Sequence, residues 1–123
     1  MQKVTGIGGI FIKAQDPIAL CAWYDKYLGT QFNGNSYVSF KWADNNDNTE
    51  KLTTFSFFNE TAKYFNPSNK QCMLNFRVDD LDAMLLQLKN AGVWVDEKID
   101  DSEYGKFGWC MDLEGNKIEL WQA

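Results

Sequence analysis

The chain contains no histidine, three cysteines and seventeen carboxylates. Those counts narrow the available chemistry. Without an imidazole there can be no Ser-His-Asp or Cys-His nucleophile, and no metal site built on histidine nitrogen. Cys21, Cys72 and Cys110 stand far apart, in no spacing that suits a metal. A reactive thiol needs a neighbouring base or cation, and the pattern predicts that Cys72 and Cys110 point toward a helical layer as small core residues. The glycines in GIGG at 6–9 lack the G-x-G-x-x-G spacing of a phosphate loop. What remains is carboxylate chemistry and aromatic surface: five Trp, five Tyr and nine Phe. Such rings either fill a core or line a ligand cavity, since cavities are mostly apolar and aromatic.

The elements that must position these residues form one phrase written twice. GIFIKAQDP at 9–17 and MLNFRVDDL at 73–81 are alternating runs that each meet an aspartate seven residues on, Asp16 or Asp80. Each aspartate predicts a helix start, because its carboxylate accepts from first-turn amides, and Pro17 suits the first helical position. Leu20, Cys21, Tyr24, Tyr27 and Leu28 keep helical spacing up to Gly29; Leu81, Met84, Leu85 and Leu88 do so up to Gly92. Strands are predicted at 5–14, 36–42, 52–58, 71–78, 107–111 and 117–121, with short ones near 30–33 and 93–95. A polar loop spans 43–51, a linker with one helical turn 60–70, and a tight turn 112–116.

At 123 residues the chain suits a single domain, with module one at about 1–60, the linker at about 60–70 and module two at about 71–123. One module would leave a sheet face bare; two can pair, with a helix outside each and a shared trough inside. A net charge of −5 argues against nucleic acid, which needs clustered Lys and Arg. No secretory segment opens the chain and no apolar run is long enough to cross a bilayer, so the expectation is a cytoplasmic protein with reduced thiols and no membrane partner.

The segments FRVDDLDAMLLQLKNAGV at 76–93, MDLEGNKIELW at 111–121 and DPIALCAWYDKYLG at 16–29 resemble the vicinal oxygen chelate superfamily of glyoxalase I, bleomycin-resistance proteins and extradiol dioxygenases. The resemblance implies an α+β fold, two βαβββ modules forming a curved mixed-sheet trough with helices outside. It also implies four inward metal positions. Carried over, these fall on Gly9, on Thr54 or Ser56, on Met73 and on Glu119. Only Glu119 is a good ligand, and a site needs three or four. The reading is therefore no metal, no other cofactor, and a resemblance closest to metal-free bleomycin-resistance-like members.

Glu119 is the one catalytic candidate, as a general base. Otherwise it pairs with Lys13, Arg77 or Lys41, or anchors a cationic or hydroxylic ligand. Strand parity then gives the inward set: Trp121 with Glu119; Met73, Asn75 and Arg77; Phe11 and Lys13; Tyr37, Ser39 and Lys41; Phe107 and Trp109. Gly8 and Gly9 leave room for a flat ligand, and Tyr104 lies in a loop at one end. The function expected is sequestration of a small, cationic or aromatic molecule. The alternative is a glyoxalase-like lyase, isomerase or dioxygenase-like enzyme with a displaced or absent metal site. Proteins of this type resemble homodimers, with Trp23 and Trp94 available for the contact.

Overall fold

Both helices begin with the same device. Asp16 accepts from the Ala19 amide at 3.1 Å and Asp80 from the Ala83 amide at 3.0 Å, which satisfies a first-turn donor that lacks an intrahelical partner. Helix α1 is Pro17–Leu28 and helix α2 is Leu81–Asn90. The first ends at Gly29 with φ +71°, a left-handed cap that glycine adopts without steric cost.

The computed structural model describes residues 1–42 and 51–123, so most of the polar loop expected at 43–51 lies outside the described residues. The strands are β1 Val4–Ala14, β2 Tyr37–Lys41, β3 Leu52–Asn59, β4 Cys72–Val78, β5 Asp100–Ser102, β6 Gly105–Met111 and β7 Lys117–Gln122. They form one sheet in the order β2-β3-β1-β4-β7-β6-β5. The seam between the modules is the antiparallel pair β1/β4, which sets Gly9 opposite Asn75 and Phe11 opposite Met73. Each of these strands has a parallel neighbour from its own module: Phe11 lies beside Ser56 and Asn75 beside Glu119. The result is the expected curved mixed sheet with helices on its outer face.

Seven strands are described rather than eight. The stretch expected as a strand near 30–33 is irregular and runs into a turn at 33–34, because Asp25 on α1 holds it: Thr30 Oγ1 and the amides of Phe32 and Asn33 donate to its carboxylate at 2.7, 2.9 and 3.0 Å. The Phe32 amide first, then the Thr30 hydroxyl, lower the Asp25 pKa. The strand expected at 93–95 shrinks to one bridge, Val95 with Cys110; β5 takes the edge instead.

Side-chain alternation divides the sheet into two faces. On the outer face Val78, Cys110 and Leu120 pack with Leu81, Met84 and Leu85 of α2, and Ala14 and Phe57 pack with Cys21 of α1 and with Phe32. Cys72 departs from the expected core placement and is exposed. A third cluster lies on the inner face, where Phe11, Met73 and Trp109 surround Phe65. Phe65 belongs to the segment expected as a linker with a helical turn. That segment is a run of turns without helix, and it folds into the trough, leaving Phe65 and Ser68 buried.

Candidate functional site

The trough is filled at one end and open at the other. At the filled end Phe65 is fully buried, and Lys13 Nζ sits 5.2 Å from its ring centroid. Tyr64 stacks on Phe58 and meets Trp109 edge-on. The buried Lys117 ammonium donates to the Tyr64 carbonyl at 2.8 Å and lies 5.6 and 5.3 Å from the Tyr64 and Trp109 rings. Cation–π attraction of this kind strengthens out of water. Burial lowers the Lys117 pKa, against the opposing charges of Asp96 and Glu119.

Glu119 stands where the filled and open ends meet. It is 2% exposed, and three neutral donors converge on it. The Tyr64 hydroxyl donates to Oε2, Trp109 Nε1 donates to Oε2 at 2.8 Å, and Asn75 Nδ2 donates to Oε1 at 2.7 Å. Such charge-assisted bonds are how a buried carboxylate is tolerated. Burial, then the charge of Glu119 and the hydrogen bond to it, raise the Tyr64 phenol above its ordinary pKa. The expected partners Lys13, Arg77 and Lys41 are not those that hold Glu119. Neutral donors hold it because the linker brings Tyr64 in and the β4/β7 register sets Asn75 alongside.

Beyond Glu119 opens a cavity of about 580 Å³, within the size range of small-molecule sites. Phe11, Tyr37, Tyr104, Phe107 and Trp121 supply rings, and Leu52 adds an aliphatic wall. Phe107 stacks on Trp121 with centroids 5.7 Å apart and planes 11° apart, and Trp121 Nε1 donates to the Tyr104 carbonyl at 2.8 Å. The floor is polar, with Asn75, Glu119, Thr54 and Ser39. Gly8 borders it because a Cβ there would lie 2.3 Å from Asn75 Oδ1 and 3.0 Å from the Trp121 ring. That Oδ1 is the one buried side-chain polar atom without a hydrogen-bond partner among the described residues. A shallower groove of about 670 Å³ runs between the end of β1 and α1, past Lys13, Asp16 and Trp23. It holds no such unpartnered group.

Of the residues expected at the site, the structure brings Phe11, Tyr37, Asn75, Phe107, Glu119 and Trp121 around the cavity. Four others lie on the inner face but off its lining. Met73 and Trp109 are buried with Phe65, and Lys13 is covered by the same ring. Arg77 lies between the Trp121 and Trp42 rings, 4.8 and 5.9 Å from their centroids. Sequence reasoning missed Tyr64 and Phe65. The available signal was two adjacent aromatics in an otherwise polar stretch.

The metal that the resemblance implies does not fit these residues. Exchanging β1 and β4 about their seam maps Gly9 onto Met73 and Phe11 onto Asn75, so Ser56, rather than Thr54, is the counterpart of Glu119. Gly9 has no donor atom. The Ser56 hydroxyl donates to the Ser36 carbonyl. Met73 offers a thioether packed among rings, which hard divalent ions do not favour. The Glu119 oxygens are already engaged by protein donors. No cluster of three His, Cys, Asp or Glu side chains suited to a metal occurs among the described residues.

The architecture is that of the vicinal oxygen chelate proteins. No family model and no curated protein sequence matches the chain, but solved structures do. Methylmalonyl-CoA epimerase from Streptomyces coelicolor, determined in complex with 2-nitronate-propionyl-CoA, superposes with a TM-score of 0.66 at 19% identity, covering 98% of this chain and 99% of that one. The epimerase from Mycobacterium tuberculosis gives 0.59 at 22% identity over 97% and 88%. A glyoxalase/bleomycin resistance protein/dioxygenase superfamily member from Vibrio splendidus 12B01 gives 0.59 at 10% identity over the whole of both chains. Similarity at these identities establishes the fold and leaves the activity to the site.

Proposed function

We propose that the protein binds a small molecule without a metal, holding it in the aromatic trough in the manner of a sequestering protein. The observation that carries this reading is the state of Glu119. Its carboxylate is held by Tyr64, Trp109 and Asn75, and the other three family metal positions supply no ligand suited to the ion. Among the described residues these positions offer no ligand set for an ion, while the cavity beside Glu119 keeps flat aromatic walls and acceptor atoms on its floor. The complex of the Streptomyces epimerase with a CoA derivative supports a small-molecule occupant for a chain of this fold. The same three donors engage both Glu119 oxygens, which weakens the case for a general base.

The protein is further proposed to act as one domain, as a cytoplasmic homodimer. Free thiols at all three cysteines, the absence among the described residues of a helix long and apolar enough to cross a membrane, and half-exposed Trp23 and Trp94 support this. Native mass spectrometry on protein purified without added metal, before and after adding Zn, Ni, Mn and Fe(II), tests both parts. The expected species is a metal-free dimer that gains no stoichiometric ion. One ion per chain would overturn the reading and favour the alternative, a glyoxalase-like lyase or isomerase with a displaced metal site. Quenching of tryptophan fluorescence by aromatic amines and phenols is the matching test for the ligand.

A further inference from the structure

We infer that Glu119 is a positioning residue for the Asn75 side-chain amide, and that the pair makes the cavity floor a neutral acceptor selecting ligands with an N–H or O–H donor on a flat body. The preference for such ligands rests on the binding reading above; the orientation of the amide does not.

An asparagine amide can sit in either of two orientations, and its hydrogen-bond partners decide between them. Asn75 has one close partner, Glu119 Oε1 at 2.7 Å. A carboxylate oxygen accepts, so the NH₂ group faces Glu119 and Oδ1 is forced to the opposite side. Glu119 cannot swing away to relax this, because Trp109 Nε1, a donor with no acceptor capacity, and the Tyr64 hydroxyl fix its other oxygen.

Oδ1 is thereby delivered to the cavity floor beside Gly8. Asn75 is 1% exposed, and Oδ1 has no partner among the described residues. A buried acceptor left in this state costs free energy that a donor would recover. Gly8 lets Oδ1 take this place, since any side chain there would land on it. The Trp121 ring borders the same space and stacks on Phe107. A donor at the edge of an aromatic plate would therefore meet Oδ1 while the plate lies along the rings. A ligand carboxylate would meet two acceptors, Oδ1 and Glu119, and is disfavoured.

The arrangement has a specific consequence for Glu119→Gln. Trp109 can only donate, so the new amide must keep its carbonyl toward Trp109 and Tyr64 and turn its NH₂ toward Asn75. Asn75 then turns its own carbonyl to meet that NH₂ and presents its NH₂ to the cavity. The floor changes from acceptor to donor while the shape of the cavity is kept.

Two readouts on the full chain test this. In ¹⁵N-labelled wild type, the Asn75 Nδ2 protons should show nuclear Overhauser contacts to the Glu119 side chain. In Glu119→Gln they should show contacts to Gly8. An Asn75–Gly8 contact in wild type, or an unchanged pattern in the variant, overturns the inference. For binding, 2-naphthol and 2-methoxynaphthalene share a plate, but only the first has a donor. Wild type should prefer 2-naphthol by about tenfold, the factor that one good hydrogen bond supplies, and the variant should lose or reverse that preference. Equal binding by wild type refutes the acceptor floor while leaving the cavity as a binding site. Binding of neither probe refutes the cavity reading, and the Overhauser pattern still decides the amide. Should Glu119→Gln fail to fold, Asn75→Leu carries the ligand test: a naphthol preference that persists without Oδ1 refutes the inference.

Discussion

Replacing Phe65 by alanine tests whether the segment between the modules is core rather than connector. The ring is fully buried, within the inner cluster of Phe11, Met73 and Trp109, edge-on to Phe58 at 5.3 Å and under the Lys13 ammonium. Truncating a buried phenylalanine costs about 3–5 kcal/mol, the sum of lost transfer free energy and a cavity that neighbours only partly fill. Collapse is restricted here, because Met73 and Phe11 are paired across the β1/β4 seam. For a chain of this length that corresponds to a fall in Tm of roughly 12–20 °C. Urea denaturation read by tryptophan fluorescence gives the free energy, and a calorimetric scan gives Tm. Tyr104→Ala is the control: Tyr104 is 70% exposed, and its loss should cost less than about 0.5 kcal/mol. A Phe65→Ala loss below about 1 kcal/mol would refute the placement of Phe65 and return residues 60–70 to the surface.

Three further outcomes are expected. The Tyr64 phenol has its pKa raised in the folded state, so its contribution is complete below its unfolded value of about 10 and is lost as pH rises above it. The stability advantage of wild type over Tyr64→Phe, measured by urea titration, should be constant from pH 7 to 9 and shrink at more alkaline pH. Cys72 is exposed while Cys21 and Cys110 are buried, and burial pushes the Cys110 thiol up to about 11. Iodoacetamide on native protein should label one thiol, at Cys72 by peptide mapping, and three after unfolding. Gly8→Ala forces a methyl against Asn75 Oδ1 and Trp121; it should cost about 1–3 kcal/mol and abolish quenching by any cavity ligand.

The elements that sequence pattern reveals best are those whose rule is local. Asp16 and Asp80 cap their helices as their types predict. Strand alternation correctly separates Leu120 and Val78, which meet the helices, from Glu119 and Asn75, which do not. Parity cannot say how deep along the trough a residue sits. Met73, Asn75 and Arg77 share a face, yet one is sealed under Phe65, one reaches the cavity, and one lies between two tryptophans. Position along that face is set by the segment at 60–70, whose insertion depends on Tyr64 reaching Glu119 across 55 residues of chain. No periodicity records such a contact. The irregular stretch at 30–33 was hidden for a similar reason, since it is one carboxylate on α1, and not strand propensity, that fixes it.

One carboxylate serves two masters. The connecting segment holds Glu119 through the Tyr64 hydroxyl, and the cavity floor holds it through Asn75. Whatever changes the electron demand on one oxygen is felt at the other, so the connection between the modules and the occupant of the trough are thermodynamically linked. Linkage is reciprocal. A ligand that tightens the Asn75 side should slow hydrogen exchange in residues 60–70, which it never touches, and loosening that segment should lower affinity by the same factor.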